Sequence, residues 1–463
     1  MLQELVARSR KAQAVLEGYT QAQLDAIVRA MAKVIFDNAE PLAKMAVDET
    51  RMGVYEHKIA KNKGKSRIIW NALKGKTTVG VLREIPEEGL VEVAKPMGVV
   101  CAVLPCTNPI VTPMCNAMFA VKSANTIIVA PHPRALKCTA RIKELFDAEF
   151  EKLGCPKDVF LALDDSSVEK TQLLMAACDV VVATGGAGMV KSAYSSGKPS
   201  YGVGPGNVQG LYDIGIDIPA AVQKAVNSRI FDNGIICSGD QTVIAPRQTY
   251  AEIIAEFVKN GAYYTEDAAE VDIWRKAIFP DGVMNKYLVG QSVEKIAAAA
   301  GIKVPEGTKL ILVKADKTGK EDLLSKEKMC PFMGSYPAAL PIPGIDTAKN
   351  SDDVLAMTDL PKSAVIIGGG VIGVEFATMH SFPRARARSK TASPSSVTLP
   401  ALGCSIPPAM RSSVLLPAPL RPSKPTICPR GIERDKSRNA MVERKRRLTF
   451  STRRSALPGV GFI

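Results

Sequence analysis

The sequence contains no apolar run long enough to span a membrane. A membrane-spanning helix needs roughly 20 mostly apolar residues in succession, and no stretch of the 463 residues approaches that length. The segment that follows Met1 also lacks the apolar core of a secretory signal. These absences predict a cytoplasmic protein without a membrane partner.

Cysteine patterns typical of metal sites are absent as well. The ten cysteines form no C-x-x-C motif and no cysteine–histidine spacing suited to a metal ion. A chain of this length does not need disulfides to hold its fold together. We therefore expect a reducing compartment and no bound metal.

The net charge is concentrated at one end of the chain. The full sequence has a formal net charge of +14, but residues 381–463 hold 17 of the 60 Lys and Arg residues and only 3 of the 46 Asp and Glu residues. Residues 1–380 are therefore neutral. The basic segment also contains 11 of the 31 prolines and follows no regular period, which predicts a disordered tail. A basic arm that binds nucleic acid is disfavoured by the scarcity of aromatic residues, and translation of a wrong reading frame is the other alternative.

Helical and strand patterns alternate along the neutral part of the chain. Apolar residues recur at helical spacing over residues 21–40, and short apolar runs predict strands at residues 99–104, 126–130, 179–183 and 201–203. Segments suited to crossover helices lie between them, at residues 134–153 and 168–177. Residues 76–94 alternate around a Glu-Glu-Gly turn and predict a hairpin. This alternation predicts an α/β fold with a doubly wound parallel sheet.

Candidate ligand-binding loops follow these predicted strands, where a doubly wound sheet places its ligands. Asn108 either directs its amide at a developing oxyanion or makes a turn before Pro109. Thr184, Gly185 and Gly186 open a predicted helix and either bind phosphate through backbone N–H groups or form a structural turn. Gly204 lies in a glycine-rich loop, residues 202–207, whose backbone can pass close to a ligand.

Cys237 is the candidate nucleophile. It follows an apolar pair and precedes two small residues. A thiolate can attack a carbonyl carbon and later leave as a thioester. From this residue alone, an inert buried thiol is the alternative, since free cysteine is among the most buried residue types.

The order and spacing of several motifs resemble the CoA-acylating branch of the aldehyde dehydrogenase superfamily. The resemblance covers residues 1–333, and residues 112–118 favour its succinate-semialdehyde members over its acetaldehyde members. The matching motifs occupy residues 52–58, 107–109, 130–134, 183–186, 194–199, 202–207 and 231–241. The resemblance implies an NAD(P)-binding domain at residues 1–229, with a protruding hairpin at 76–97, and a partial catalytic domain at residues 230–335.

This resemblance implies an enzyme that oxidises a small aldehyde, acetaldehyde or succinic semialdehyde, to an acyl-CoA with NAD(P)+. A thioester would form on Cys237, and Asn108 with the Cys237 backbone N–H would hold the oxyanion. Hydrolytic members carry a glutamate in the loop that here reads Gly-Val-Gly-Pro-Gly, at residues 202–206. Without that carboxylate to activate water, coenzyme A is the expected acyl acceptor.

The resemblance also implies a set of cofactor-binding residues. Thr184, Gly185, Gly186 and Gly204 would lie along the cofactor. Glu327 aligns with the glutamate that binds the nicotinamide ribose, although alone it would be read as a solvated surface charge. Where other branches carry a lysine for the adenosine ribose, this chain has His132 nearby; this histidine either lines the cofactor or CoA entrance or packs a turn between two prolines.

The family pattern stops near residue 333, before the part that closes the catalytic domain and supplies an interface strand in these homo-oligomeric relatives. Residues 336–380 instead contain a fragment that resembles dihydrolipoamide dehydrogenases, with a G-x-G-x-x-G motif at Gly368, Gly370 and Gly373. No second strand or ribose-binding acidic residue follows, so we expect no second cofactor site and interpret the chain as truncated or chimeric. Two rival functions stay open: a flavin-linked disulfide oxidoreductase, for which Cys101 and Cys106 have a C-x4-C spacing, and a basic-tailed nucleic-acid-binding protein.

Overall fold

The computed structural model describes residues 2–338, except the side chain of Lys320, and the backbone of three short strands beyond them. The chain divides into two units, a large one that contains all of residues 2–338 and a small one that contains the three strands. No helix in the described part of the chain is both long and apolar enough to cross a bilayer.

Four helices open the large unit: α1 (Leu2–Leu16), α2 (Gln21–Asp37), α3 (Ala39–Thr50) and α4 (Tyr55–Leu73). Thr20 begins α2 with a capping box, since its side chain accepts the Gln23 N–H while the Gln23 side chain accepts the Thr20 N–H. The apolar residues at helical spacing in this segment are all buried: Leu24, Ile27, Val28, Met31, Val34 and Ile35. The single helix predicted over residues 21–40 is wrong at its end, because Asn38 leaves the helical conformation and α3 starts after it.

The predicted hairpin is present. Strands β1 (Gly80–Ile85) and β2 (Leu90–Ala94) pair antiparallel. Gly89 closes the turn with a left-handed φ of 63°, which glycine adopts without strain.

A five-stranded parallel sheet follows, in the order β5-β4-β3-β6-β7. Its strands are β3 (Val99–Val103), β4 (Thr126–Ala130), β5 (Phe160–Ala162), β6 (Val180–Thr184) and β7 (Ser200–Val203). The helices between them are α5 (Val111–Lys122), α6 (Leu136–Lys152), α7 (Val168–Ala177) and α8 (Ala187–Tyr194). The strand order reverses at β3, so the loops after β3 and β6 leave the same edge of the sheet side by side.

This sheet confirms the doubly wound prediction, with small differences at its strand ends. The strand predicted at residues 179–183 begins and ends one residue later, at Val180 and Thr184. Asp179 still bonds to β3 just before the strand, since its N–H donates to the Val99 carbonyl at 2.9 Å and its carboxylate accepts the Val99 N–H at 2.8 Å. Strand β5 was not predicted, since it is only three residues long.

A second five-stranded parallel sheet has the order β10-β11-β12-β9-β8. Its strands are β8 (Val208–Leu211), β9 (Asp240–Pro246), β10 (Ala262–Thr265), β11 (Leu310–Lys314) and β12 (Phe332–Ala338), and its helices are α9 (Ile218–Ile230), α10 (Arg247–Lys259), α11 (Ala268–Ile278) and α12 (Val293–Ala300). Apolar clusters cover both faces, one around Trp274 and the other around Phe257. The turn that carries Cys237 lies between α9 and β9.

The small unit contains β13 (Ala364–Ile367), β14 (Ala385–Arg388) and β15 (Val397–Leu399). The first two strands pair parallel and the last two antiparallel. The predicted glycine motif at Gly368, Gly370 and Gly373 lies outside the described residues, as does most of the basic segment 381–463.

Candidate active site

Two glycine-rich segments meet at the edge of the first sheet. Strands β6 and β7 pair so that Thr184 lies opposite Val203, and the Gly185 N–H donates to the Val203 carbonyl at 3.1 Å. Gly186 is the N-cap of α8, and a Cβ atom built on it would meet nothing within 4 Å. The N-terminal end of α8, with its first N–H groups, therefore lies next to open space, where an anionic group can bind.

The loop at residues 202–207 passes directly against the candidate nucleophile. A Cβ atom on Gly206 would lie 2.0 Å from the Cys237 carbonyl oxygen, so only glycine allows this approach. The Gly206 N–H donates to Glu327 Oε1 at 3.1 Å, and Asn207 Nδ2 donates to the Ser325 carbonyl at 2.7 Å. The structure thus brings the glycine loop, Cys237 and Glu327 together.

Glu327 is half-buried and held by this loop, so the interpretation as a solvated surface charge is wrong. The position of Glu327 also bears on the expectation that the loop at residues 202–206 has no carboxylate. The loop itself carries no carboxylate, but the Glu327 charge adds to the effect of burial, which raises the pKa of the Cys237 thiol.

The turn that leads into Cys237 has an unusual backbone. Asp232 and Asn233 both have φ of 53°, and Gly234 has φ of 67°. Such left-handed conformations cost energy for residues other than glycine and persist where the surroundings enforce them. Here the Asp232 N–H donates to His57 Nδ1 at 2.8 Å, and Asn233 Nδ2 donates to the Gly290 carbonyl at 3.0 Å.

The Asp232 carboxylate is completely buried and neutralises part of a lysine pair on α4. Its Oδ2 lies 3.2 Å from Lys58 Nζ and 2.5 Å from Lys61 Nζ, and its Oδ1 accepts the Val54 N–H at 2.8 Å. Lys58 and Lys61 are one helical turn apart, which places both ammonium groups on the same face of α4. Lys61 Nζ also donates to Asn108 Oδ1 at 2.6 Å. Asp232 therefore connects the loop after β3 with the turn before Cys237.

Opposing effects act on the Cys237 thiol. Burial raises its pKa, and the Glu327 charge raises it further. The backbone N–H groups of Cys237 and Ser238 and the Lys61 ammonium lower it. Burial also lowers the pKa of Lys61 to about 8, although Asp232 opposes that effect. The pKa of Lys61 is therefore nearer to pH 7 than that of an ordinary lysine, and its ammonium acts on the Cys237 thiol.

Two further buried cations fix the segment that carries Glu327. Arg229 is fully buried and donates to four backbone carbonyls, those of Cys330 at 2.8 Å, Gly234 at 2.9 Å, Asp240 at 3.2 Å and Lys328. Lys328 Nζ donates to the carbonyls of Leu324 at 2.6 Å and Lys326 at 2.8 Å. Burial lowers the pKa of Lys328 to about 7 and that of Arg229 to about 10. These bonds join residues 324–330 to both ends of the Cys237 turn.

His132 makes a local contact. Its Nδ1 accepts the Arg134 N–H at 3.1 Å and caps the short turn that follows Pro133. Burial and the charge of Arg134 lower the pKa of this histidine. This geometry matches the turn-packing alternative, and a role at the cofactor or CoA entrance stays a prediction.

Cys101 and Cys106 do not form a pair. Cys101 is fully buried in one apolar cluster, where its thiol interacts with that of Cys178, whereas Cys106 packs against a different cluster. Within residues 2–338, no group of three or more His, Cys, Asp or Glu side chains is arranged to hold a metal ion.

Comparison with known proteins shows which family this chain belongs to. The aldehyde dehydrogenase family model matches residues 2–270. The succinate-semialdehyde dehydrogenase (acetylating) of Clostridium kluyveri is 54% identical over 332 residues, which make up 72% of this chain and 73% of that protein. The chain belongs to the aldehyde dehydrogenase family.

Solved aldehyde dehydrogenases share the fold. An acetylating aldehyde dehydrogenase from Geobacillus thermoglucosidasius superposes with a TM-score of 0.70 at 36% identity, over 73% of this chain and 75% of that one. A propionaldehyde dehydrogenase from Rhodopseudomonas palustris, solved with bound CoA and an acylated cysteine, has a TM-score of 0.65 at 26% identity, over 84% of this chain and 87% of that one. The predicted resemblance to CoA-acylating aldehyde dehydrogenases is therefore confirmed.

A second family model, that of the pyridine nucleotide-disulphide oxidoreductases, matches residues 221–392. This range includes the whole of the segment 336–380, where the sequence predicted a dihydrolipoamide dehydrogenase fragment. It also overlaps the aldehyde dehydrogenase match, and it covers a minority of the chain.

Sequence reasoning assigned no role to four buried residues of this aldehyde dehydrogenase site: Lys58, Lys61, Arg229 and Asp232. Three of them lie within or beside motifs that carried the family resemblance. The one local signal was the spacing of the two lysines by one helical turn, and solvated helix faces show the same spacing.

Proposed function

We propose that this aldehyde dehydrogenase oxidises a small aldehyde, acetaldehyde or succinic semialdehyde, and transfers the acyl group from Cys237 to coenzyme A. The observation that carries the proposal is the packing of Cys237 through Gly206 against a glycine loop with no carboxylate of its own, while the nearby Glu327 carboxylate accepts the Gly206 N–H. A hydrolytic enzyme needs a base to activate water at the thioester, and a thiol acceptor does not. The acylating relatives, one of them with bound CoA, support the same acceptor.

Cys237 is the proposed nucleophile and Asn108 its proposed partner. The thiolate adds to the aldehyde carbon, and the carbonyl oxygen becomes an oxyanion. Asn108 Nδ2 and the Cys237 N–H donate to that oxygen. Transfer of hydride to the nicotinamide that a bound NAD(P)+ would supply leaves an acyl thioester on Cys237. The thiolate of coenzyme A would then displace the Cys237 sulfur, which leaves as a thiolate, to give acyl-CoA.

The described residues fit an NAD(P) cofactor, which supplies the hydride acceptor when bound. Cβ atoms on Gly186 and Gly204 would meet open space, so a ligand can approach the backbone at both positions. We assign Thr184, Gly185 and Gly186 to the cofactor phosphates and Gly204 to the nicotinamide side. Glu327 is assigned to the nicotinamide ribose, because its half-buried carboxylate faces the same loop.

Several finer assignments belong to this proposal. His132 lines the entrance for the cofactor or CoA. Residues 1–229 form the NAD(P)-binding domain and residues 230–335 part of the catalytic domain, followed by the fragment 336–380 and the basic tail 381–463. The enzyme acts in the cytoplasm without a metal, and it assembles as a homo-oligomer.

The proposal is tested by NADH formation in the full-length chain. Acetaldehyde and succinic semialdehyde are each supplied with NAD+, with and without CoA, and the products are identified by mass spectrometry. We expect CoA-dependent turnover that Cys237→Ser abolishes. Cys106→Ser, which changes another half-buried thiol, should retain turnover. Free acid as the main product in the presence of CoA, or turnover that survives Cys237→Ser, would refute the proposal.

A further inference from the structure

The orientation of the Asn108 amide is fixed by Lys61. A lysine ammonium has three donors and no acceptor, so only the oxygen end of an amide can face it. Lys61 Nζ lies 2.6 Å from Asn108 Oδ1, which directs Asn108 Nδ2 away from the lysine. That nitrogen makes a long contact of 3.4 Å with Thr107 Oγ1, so it keeps a donor for a substrate oxygen.

Lys61 is itself held in place by Asp232. The lysine side chain is 7% exposed, and its Nζ lies 2.5 Å from Asp232 Oδ2. The Val54 N–H and Lys58 hold the same carboxylate. A Cβ atom on Gly53 would lie 2.0 Å from Asp232 Oδ1, so the backbone also encloses the carboxylate closely. The ammonium therefore has a single defined position between Asp232 and Asn108.

This cluster carries an excess positive charge beside the thiol. Two ammonium groups share one carboxylate, and a small cavity lined by Lys58, Lys61 and Asn108 adjoins them. The charged groups that act on Lys61 are Asp232, Lys58 and Cys237, and those that act on Cys237 are Glu327 and Lys61. His57 faces the cluster through its Nδ1, which accepts the Asp232 N–H. At low exposure such a cation interacts with an anion more strongly than it would at the surface.

We propose that Lys61 is a positioning residue, which aims the Asn108 amide at the oxyanion and stabilises the thiolate of Cys237. The proposal rests on the proposed function for the role of these two residues. Lys61 touches Asn108 and Asp232 and acts on the reaction through them. Without Lys61, the Asn108 amide can rotate, and Glu327 acts on the thiol without an opposing cation.

The test compares Lys61→Met, Lys61→Arg and a control, Lys63→Met, in the full-length chain. Lys63 lies on the same helix but makes an exposed ion pair with Glu40. Iodoacetamide alkylation of Cys237 is followed from pH 6 to pH 10 by mass spectrometry of its peptide. At pH 7, below the Lys61 pKa of about 8, we expect Lys61→Met to be alkylated about threefold or more slower than the wild type, with Lys61→Arg and Lys63→Met close to the wild type.

Turnover supplies the second readout. Lys61→Met should lower kcat about tenfold or more with a smaller change in the KM for aldehyde, since an oxyanion donor acts in the transition state. Lys61→Arg keeps the positive charge but not the position of a single ammonium. Compared with Lys61→Met, it should therefore return the alkylation profile to that of the wild type but leave kcat low. Combining Lys61→Met with Asn108→Ala should cost little more in kcat than Asn108→Ala alone.

These outcomes separate the two proposals. An unchanged Cys237 alkylation profile in Lys61→Met, or full additivity with Asn108→Ala, would overturn the role of Lys61. A wild type that makes no acyl-CoA would refute the proposed function, and the alkylation profile would still test Lys61. Folding is checked by circular dichroism, and Lys61→Gln serves as a second neutral variant. Loss of Lys61 leaves Asp232 paired with Lys58, so the buried charge stays compensated.

Discussion

The two sides of the candidate site are built by different means. On the proposed cofactor side, Gly186 and Gly204 present backbone to open space, and both follow short paired parallel strands. On the thiol side, Gly53 and Gly206 are enclosed by other atoms, and buried charges hold the turn before Cys237. Glycine therefore has opposite roles in one site, because it leaves room for a ligand on one side and allows close packing on the other.

The largest expected effect comes from Gly206→Ala, compared with Gly204→Ala two residues earlier in the loop. A Cβ atom on Gly206 would lie 2.0 Å from the Cys237 carbonyl oxygen, whereas on Gly204 it meets nothing within 4 Å. Displacement of the nucleophile by about 1 Å costs roughly 100-fold in rate. We expect kcat to fall about 100-fold in Gly206→Ala, and the free energy of unfolding to fall by about 1–3 kcal/mol.

Gly204→Ala should change the free energy of unfolding by less than about 0.5 kcal/mol. Steady-state kinetics and denaturant unfolding measure both variants. If the two substitutions had equal effects, the distinction between an open and an enclosed side of the loop would be wrong.

A smaller effect is expected from the pH dependence of the free energy of unfolding, through the buried Lys328 on the thiol side. Burial holds the pKa of Lys328 at about 7 in the folded protein, below its ordinary value of 10.5. Between these two values the unfolded chain binds more protons at this lysine, so its contribution to the free energy of unfolding rises with pH. From pH 7 to pH 9, we expect the wild type to gain about 2 kcal/mol over Lys328→Met.

Denaturant unfolding of both proteins at each pH measures this difference. Lys326→Met is the matched control, since Lys326 is exposed and two residues away. A wild-type advantage over Lys328→Met that stays constant from pH 7 to pH 9 would contradict the inferred burial of this ammonium.

The smallest effect is expected from Glu327→Gln, which tests whether the two sides meet at this carboxylate. The Glu327 charge raises the pKa of Cys237, so its removal should lower that pKa and speed alkylation at pH 7 about two- to threefold. The same variant should raise the KM for NAD(P)+ if the carboxylate binds the nicotinamide ribose. Exposed Glu321→Gln supplies the control. Slower alkylation of Cys237 in Glu327→Gln would reverse the inferred sign.

The fold of the first sheet, which carries the proposed cofactor side, could be predicted from the sequence, and much of the packing around Cys237 could not. Strand β4 and helix α7 have the predicted bounds, because continuous apolar runs and a helical period are local signals. The thiol and its glycine loop were found through motifs. The buried state of Lys58, Lys61 and Arg229 was not found, because partners for these cations come from residues about 50 to 180 positions away or from backbone carbonyls.

Glu327 illustrates the same limit. Its carboxylate is bound by a loop N–H 121 residues earlier in the chain, and local sequence made a surface charge the better interpretation. The break at Asn38 was also not predicted. This single residue has non-helical backbone angles and divides one predicted helix into two.

Acylation of Cys237 by substrate is the most direct test of the central claim. The full-length protein is incubated with aldehyde and NAD+ in the absence of CoA, quenched with acid, and its peptides are analysed by mass spectrometry. The account predicts an acyl adduct on the Cys237 peptide, which disappears on addition of CoA as an equal amount of acyl-CoA forms. An adduct on a different cysteine, or NADH formation with an unmodified Cys237 peptide, would contradict it.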